Sequence, residues 1–359
     1  MEEFSCMTRI ISGSDPAAAL KSWAGQSVFL VTDLHLRQSG AAKILLPQHI
    51  FGASGCWEVS GNASMHQAVE GSRKLKEACP GLVVALGDRH VLDCAKAMVC
   101  FSRLSCPLAV VPTLPAGGSE VTDRVSLLHN RQQHLLQSSA MRPSMALLDA
   151  GMLEFSTRKQ IAESGFLILA NALESFTSKA AGVLTSLHAR EAFCGCWAAL
   201  SGAVAGSSTA WARLQIASCL SGMALDHAGL GLCAALTANL GSFCHLTEGT
   251  LCAILLPSVI SCNVHAAGHK YAGMARAAGM GGSSDAVAVS RLRAGLVRLR
   301  RDLGLPATLT QAGVDPRQLR GNLQAIVQAI LEHPECPNNP LTVDDYLVRR
   351  ILEDVIGRI

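Results

Sequence analysis

The sequence predicts an α/β domain built on a parallel sheet over residues 1–155, followed by an all-helical domain over residues 156–359. Three observations carry that reading. Short apolar runs rich in β-branched residues alternate with helical patterns in the first part, the order that builds strand, helix, strand units. After about residue 156 those runs disappear, and long Ala-, Leu- and Gly-rich stretches with helical spacing replace them. No internal repeat or low-complexity linker interrupts the change.

The strands are "SVFLVTD" (27–33), "GLVVALG" (81–87) and "PLAVVPT" (107–113), each short and apolar enough to lie buried on both faces of a parallel sheet. Between the first two, "SMHQAVEGSRKLKEAC" has helical spacing. In such a sheet ligands bind beyond the carboxyl ends of the strands, where Asp33, Gly87 and Thr113 stand. The stretch "ALGDRHVLDCAKAM" (85–98) runs from a strand through a turn into a helix, the arrangement in which a helix N-terminus receives an anion. Such a turn favours glycines, because a Cβ blocks the approach of the backbone to phosphate. Only Gly87 is present, and Asp88, Arg89 and His90 fill the rest. The Asp88 charge opposes an anion there, whereas Arg89 and His90 suit one.

In the second part, "RKQIAESGFLILANALESFTSKAAG" and "TAWARLQIASCLSGMAL" read as long helices. "SRLRAGLVRLRRDLG" (290–304) sets Leu292, Leu296, Leu299 and Leu303 on one face and arginines on the other, an amphipathic surface helix. With no aromatics interleaved for stacking on bases, and a net charge of only +3, nucleic acid is not an expected partner.

With 49% hydrophobic and 16% charged side chains, the chain is globular and not disordered. "MEEFSCMTRI" carries two acids and no long apolar stretch. No secretory signal, no transmembrane segment and no membrane partner are expected, which makes the cytoplasm the default location. The fourteen cysteines lie mostly in apolar runs such as "QIASCLSGMAL" and read as small buried hydrophobes. Cys194 and Cys196 in "AFCGCW" lack the two-residue spacing of a metal or redox pair.

Seven stretches in order, "TRIISG", "VLDCAKAM", "VVPTLPAGGSEVTD", "ALLDAGML", "SGMALDHAGLGLCAAL", "LGSFCHLTEGTLCAILLPSVISCN" and "PNNPLTVDDYLVRRIL", resemble those of the iron-containing alcohol dehydrogenases. Within that family the chain is most similar to the propanol dehydrogenases of bacterial microcompartments. The resemblance spans nearly the whole sequence. It implies a dinucleotide-binding N-terminal domain, a helical metal-binding C-terminal domain of the dehydroquinate synthase-like fold, and NAD-dependent interconversion of a short-chain aldehyde and alcohol. For the cofactor it implies contacts from Asp33, Gly87, Asp93, Lys96, Thr113, Ser119 and Thr122. The family's glycine triplet and serine fall on Gly87, Asp88, Arg89 and His90, and its nucleotide-side lysine on Gln133, so only weak NAD(H) binding is expected.

For the metal, the family's Asp and His, one helical turn apart, fall on Leu167 and Asn171 in "GFLILANALE", while its other two histidine ligands fall on Ala234 and Glu248. A further active-site histidine of the family falls on Ala238. A catalytic iron or zinc needs about three protein ligands and an open position. Leucine and alanine offer none, so iron and zinc are expected to be absent. A shifted site drawn from Asp226, His227, His245 and Glu248 demands convergence to about a few tenths of an ångström, and the expectation is that these residues cap helices or lie in a loop. His265 and His269 in "HAAGHKYAG" read as an exposed face.

Three functional classes follow. The first is an active short-chain aldehyde and alcohol oxidoreductase. The second is a homologue kept for its fold, as a homo-oligomer or as scaffold or regulatory partner of a related dehydrogenase or of microcompartment proteins. The third is a metal-independent activity on a small phosphorylated or carbonyl compound, using Arg89, His90 and Asn171. The joint replacement of ligands and turn glycines, beside retained frame residues such as Gly165, Gly231, Gly241 and Pro257, favours the second.

Overall fold

The computed structural model describes residues 3–13, 15–45, 52–130 and 132–357. By internal contacts the chain divides into two units, one of Ser5–Thr157 with Gly206–Gly222, the other mainly of Arg158–Ala205 and Met223–Ile359. The sequence puts all of 156–359 in one helical domain. Contacts instead draw Gly206–Gly222 to the α/β unit, because that stretch lays Gln215, Ser218 and Gly222 against one of its loops.

The α/β unit holds β1 (Arg9–Ser12), β2 (Ser27–Asp33), α1 (Leu34–Ser39), α2 (Ala41–Leu45), β3 (Gly52–Val59), α3 (Met65–Ala78), β4 (Leu82–Gly87), α4 (Arg89–Ser102), β5 (Leu108–Pro112), β6 (Arg124–His129), β7 (Gln132–Gln137) and β8 (Met145–Leu148). Six strands form one sheet in the order β1-β8-β5-β4-β2-β3, every neighbour parallel. The three strands read from the sequence are adjacent at its centre. Their runs are continuously apolar because both faces are covered, and every residue of β4 and β5 is buried. Leu82, Val84, Leu86, Ala109, Val111 and Leu147 share a core with Leu20, Leu36 and Leu45, each larger side chain contributing about 1.5–3 kcal/mol by burial. Strands β6 and β7 form a separate antiparallel hairpin.

Strand order reverses at the centre. The chain leaves β2 for β3 on one side and then returns to β4 on the other. The carboxyl ends of β2 and β4 therefore flank the crevice in which open α/β sheets take their ligands.

The helical unit contains α5 (Arg158–Thr177), α6 (Val183–Val204), the end of α7 (Ser208–Ala228), α8 (Leu232–Cys244), α9 (Glu248–Ala277), α10 (Asp285–Asp302), α11 (Pro316–Gly321), α12 (Leu323–Leu331) and α13 (Asp345–Ile356). Helices α5 and α9 are buried along most of their length. Helix α9 carries Pro257 and is kinked at Ala267, where φ is −130° and ψ is 17°. It is long and apolar enough to cross a membrane, but 67% of the apolar window is buried inside the fold. In α10, Leu292, Leu296 and Leu299 are buried as the amphipathic pattern predicts, and Leu303 follows as the half-buried C-cap.

Candidate functional site

Gly87 closes β4 and Asp88 opens α4. A Cβ on Gly87 would lie 2.5 Å from the Val91 side chain, so the tightness of the turn itself demands glycine there. Asp88 is extended (φ −78°, ψ −175°) and folds its carboxylate back onto the helix, where Oδ1 accepts the N–H groups of His90 at 2.9 Å and Val91 at 3.2 Å. A cap of this kind stabilises a helix by about 1 kcal/mol and places a negative charge on the positive end of its dipole. The sequence suggested that Asp88 stands beside a bound anion and repels it. The structure places the carboxylate on the amides themselves. The Arg89 guanidinium lies 3.5 Å from Asp93, one turn further along.

Asp33 ends β2 and caps α1, accepting the Leu36 amide at 2.8 Å. The Thr113 amide donates to the Gly87 carbonyl at 3.0 Å. Asp33, Gly87 and Thr113 thus share the carboxyl edge of three adjacent strands, as the sequence predicts.

Asp93, Lys96, Ser119 and Thr122, expected beside the cofactor, are engaged with one another. Lys96 is wholly buried, and its ammonium donates to the Ser119 carbonyl at 2.9 Å, Ser119 Oγ at 3.2 Å, Thr122 Oγ1 at 3.4 Å and the Arg124 carbonyl at 2.6 Å. The Asp93 carboxylate lies 3.7 Å from that ammonium and accepts from Ser119 Oγ and, at 3.0 Å, from the Ser126 amide. A buried ion persists only with its hydrogen bonds made, so the hub fixes the segment 119–126 onto α4. Gln133 sits apart on β7, accepting the Ser126 hydroxyl at 3.1 Å.

The sequence does not mark a further support of the loop. From α7, Gln215 Nε2 donates to the Pro112 carbonyl at 2.9 Å and Ser218 Oγ accepts the Gly118 amide at 3.3 Å. A Cβ on Gly222 would fall 2.5 Å from Gly118 Cα. The three residues stand at i, i+3 and i+7, one face of the helix, a spacing whose use shows only once the loop lies against it. Gly117 and Gly118 adopt φ of 62° and 98°, which lets the loop follow this face. Glu120 in the same loop is fully buried with neither oxygen in hydrogen-bond geometry. Burial pushes its carboxyl above the usual range, and the nearby backbone amides, Ser218 and Lys96 pull it only part of the way back.

In the helical unit, Leu167 and Asn171 stand one turn apart on α5, Ala234 in the first turn of α8 and Glu248 at the start of α9. Two buried glutamates join these helices. Glu174 on α5 accepts the amides of Cys233 at 2.6 Å and Ala234 at 3.0 Å. Glu163 accepts the Thr250 hydroxyl at 2.6 Å, and a Cβ on Gly249 would lie 2.2 Å from the Glu163 carbonyl oxygen. Glu335 holds the Leu230 amide at 2.7 Å just before α8. Burial lifts the Glu174 carboxyl to about 7, against the pull of the amides it accepts and with a push from the Glu335 charge.

The frame is built, but the donor set does not fit a catalytic metal. Leu167 and Ala234 have no lone pair to give, Asn171 has an amide oxygen, and Glu248 alone is a carboxylate. Among the described residues no three His, Cys, Asp or Glu side chains gather to hold an ion. Asp226 and His227 end α7, while His245 is the C-cap of α8 with φ of 55°, so they and Glu248 do not assemble a shifted site. His227 instead meets Phe4 in a tilted ring contact, centroids 4.4 Å apart and planes at 35°, and Phe4 stacks in turn with His188 at 4.8 Å. His265 and His269 are exposed on α9.

A family model described as iron-containing alcohol dehydrogenase matches residues 7–150, and one for the C-terminal part of the Fe-containing alcohol dehydrogenase family matches 161–356. A 1-propanol dehydrogenase of Salmonella typhimurium is 29% identical over 99% of this chain and 100% of its own length. A probable alcohol dehydrogenase of the same organism is 31% identical over 75% of this chain and 71% of its own. Among solved structures, a 1,3-propanediol oxidoreductase superposes with a TM-score of 0.91 at 23% identity, covering 99% of this chain and 100% of that one. A sulfoacetaldehyde reductase from Bifidobacterium kashiwanohense in complex with NAD+ gives 0.89 at 20% identity, covering 99% of both. With family models matching both halves along nearly their full length, the chain belongs to the iron-containing alcohol dehydrogenase family.

Proposed function

We propose that this chain is an iron-containing alcohol dehydrogenase homologue that keeps the family fold without the metal-dependent step, and serves as a scaffold or regulatory partner. The donor set carries this reading. Leu167 and Ala234 stand where the family resemblance puts metal ligands, while Gly165, Glu174, Gly231 and Gly249 still hold α5, α8 and α9 together. In relatives that interconvert short-chain aldehydes and alcohols with NAD(H), a bound ion polarises the carbonyl, a role worth several kcal/mol. Nothing in the present donor set takes over that role.

NAD(H) is held weakly at most, because Asp88 stands at the turn. The suggested partners are a second copy of this chain, a related dehydrogenase or microcompartment proteins, with a cytoplasmic or microcompartment location. This follows the resemblance to the propanol dehydrogenases. A metal-independent activity using Arg89 and His90 is the weaker reading, since Arg89 lies against Asp93 and the helix end is capped.

The test is propionaldehyde-dependent NADH oxidation by the purified chain, with and without added ferrous or zinc ion. No rate above the protein-free background is expected. Robust turnover in either condition overturns the proposal.

A further inference from the structure

We propose that Asp88 is a specificity-determining residue, which closes the α4 N-terminus to a dinucleotide's diphosphate by satisfying its amides from within. The inference rests on the reading above that NAD(H) is held weakly, and it assigns the weakness to one side chain and one physical cause.

A helix N-terminus attracts phosphate because its first amides lack intrahelical partners and the helix dipole ends there in partial positive charge. In α4 two of those amides and the dipole are engaged from inside the chain. Asp88 Oδ1 takes the amides of His90 and Val91, the Asp88 carbonyl takes Leu92 at 3.0 Å, and the carboxylate charge sits on the dipole. The nearest cation is engaged as well, since the Arg89 guanidinium, 27% exposed, lies against the buried Asp93. The turn offers no alternative approach on the Gly87 side, where the Val91 side chain already fills the space a Cβ would need.

The rest of the expected cofactor edge is in place. Asp33 and Thr113 stand at the carboxyl ends of the strands beside β4, and the Lys96 hub and the α7 face hold the 113–126 loop. A diphosphate arriving here must first dislodge the Asp88 carboxylate from two hydrogen bonds. Occupancy of the donors, more than repulsion at a distance, is therefore the barrier.

Two substitutions separate those causes. Asp88→Asn removes the charge but keeps an oxygen that caps the same amides, whereas Asp88→Gly removes charge and acceptor together and is itself a tolerated cap. NADH titration by fluorescence is expected to show at least about tenfold tighter binding for Asp88→Gly than for wild type, with Asp88→Asn within about threefold of wild type. Equal gains in both variants mean repulsion alone and overturn the inference. No gain in Asp88→Gly, or low-micromolar binding by the wild type, overturns it too. Should Asp88→Gly fail to fold by circular dichroism, Asp88→Ala carries the same test, because alanine likewise has no acceptor. Propionaldehyde-dependent turnover is measured on the same proteins. Turnover by the wild type defeats the functional proposal, while tight binding without turnover in Asp88→Gly supports the inference and leaves that proposal standing.

Discussion

The carboxylate of Glu174 on α5 accepts the backbone amide of Ala234 at 3.0 Å, so a buried acid clamps α8 at the residue where the family resemblance places a metal-binding histidine. On α8 the clamp uses main chain only, and it survives whatever side chain stands at 234.

That clamp makes stability depend on pH. Burial lifts the Glu174 carboxyl from 4.5 to about 7, so the folded chain binds its proton more tightly than the unfolded chain does. The stabilisation from protonation is complete below the unfolded value and is lost as pH rises through about 7, with an upper limit on the order of 3 kcal/mol. Glu174→Gln, neutral at every pH, is expected to flatten the fall in melting temperature across that window. Identical slopes for wild type and variant would show that Glu174 does not titrate in that window.

The close approaches of α9 and of α6 to α5 predict unequal costs for two glycine substitutions. In Gly249→Ala the new methyl meets the Glu163 carbonyl oxygen at 2.2 Å, a backbone atom that cannot step aside alone. In Gly165→Ala it meets the end of the Leu200 side chain, also at 2.2 Å, which can change rotamer. Urea denaturation should show a loss of about 3 kcal/mol or more for the first and about 1 kcal/mol for the second. The reverse order contradicts the packing.

Lys96 is the hub of the 119–126 segment, and Lys96→Met leaves the buried Asp93 carboxylate with Arg89 alone of the two cations beside it and strips the Ser119 and Arg124 carbonyls of the ammonium they share. The expected loss is about 3–5 kcal/mol of unfolding free energy. A loss below about 1 kcal/mol would show that Asp93 finds another partner at no cost.

Restoring the donors tests whether the frame is still good. The variant with Leu167→Asp, Asn171→His, Ala234→His and Glu248→His should bind iron or zinc, since α5, α8 and α9 remain tied by Glu163 and Glu174. It should not reduce propionaldehyde until Asp88→Gly, Arg89→Gly and His90→Ser are added, because carbonyl polarisation and hydride positioning act on one transition state. Turnover by the four-change variant alone would contradict the role given to the turn.

The three central strands were legible to within a residue of each end because both faces are covered, which leaves a continuous apolar run. β3 (Gly52–Val59) was not legible. It lies at the sheet edge and mixes Gly, Ser and Glu into its run, so the alternation is diluted. The β6–β7 hairpin stands outside the sheet and left no strand, helix, strand rhythm to read. At the site, the place of the turn was legible but the use of Asp88 was not, since a capping aspartate and a repelling one have the same sequence. The Gln215, Ser218 and Gly222 face was hidden for another reason. Each residue alone is ordinary in a helix, and only the loop folded against them gives the stripe a meaning.

Metal content measures most directly whether the positions of Leu167, Asn171, Ala234 and Glu248 hold an ion. The full chain, purified in buffer supplemented with ferrous or zinc ion and then desalted, is analysed by inductively coupled plasma mass spectrometry. Iron and zinc well below one ion per chain are predicted, whereas about one tightly held ion per chain would show that these positions do form a metal site.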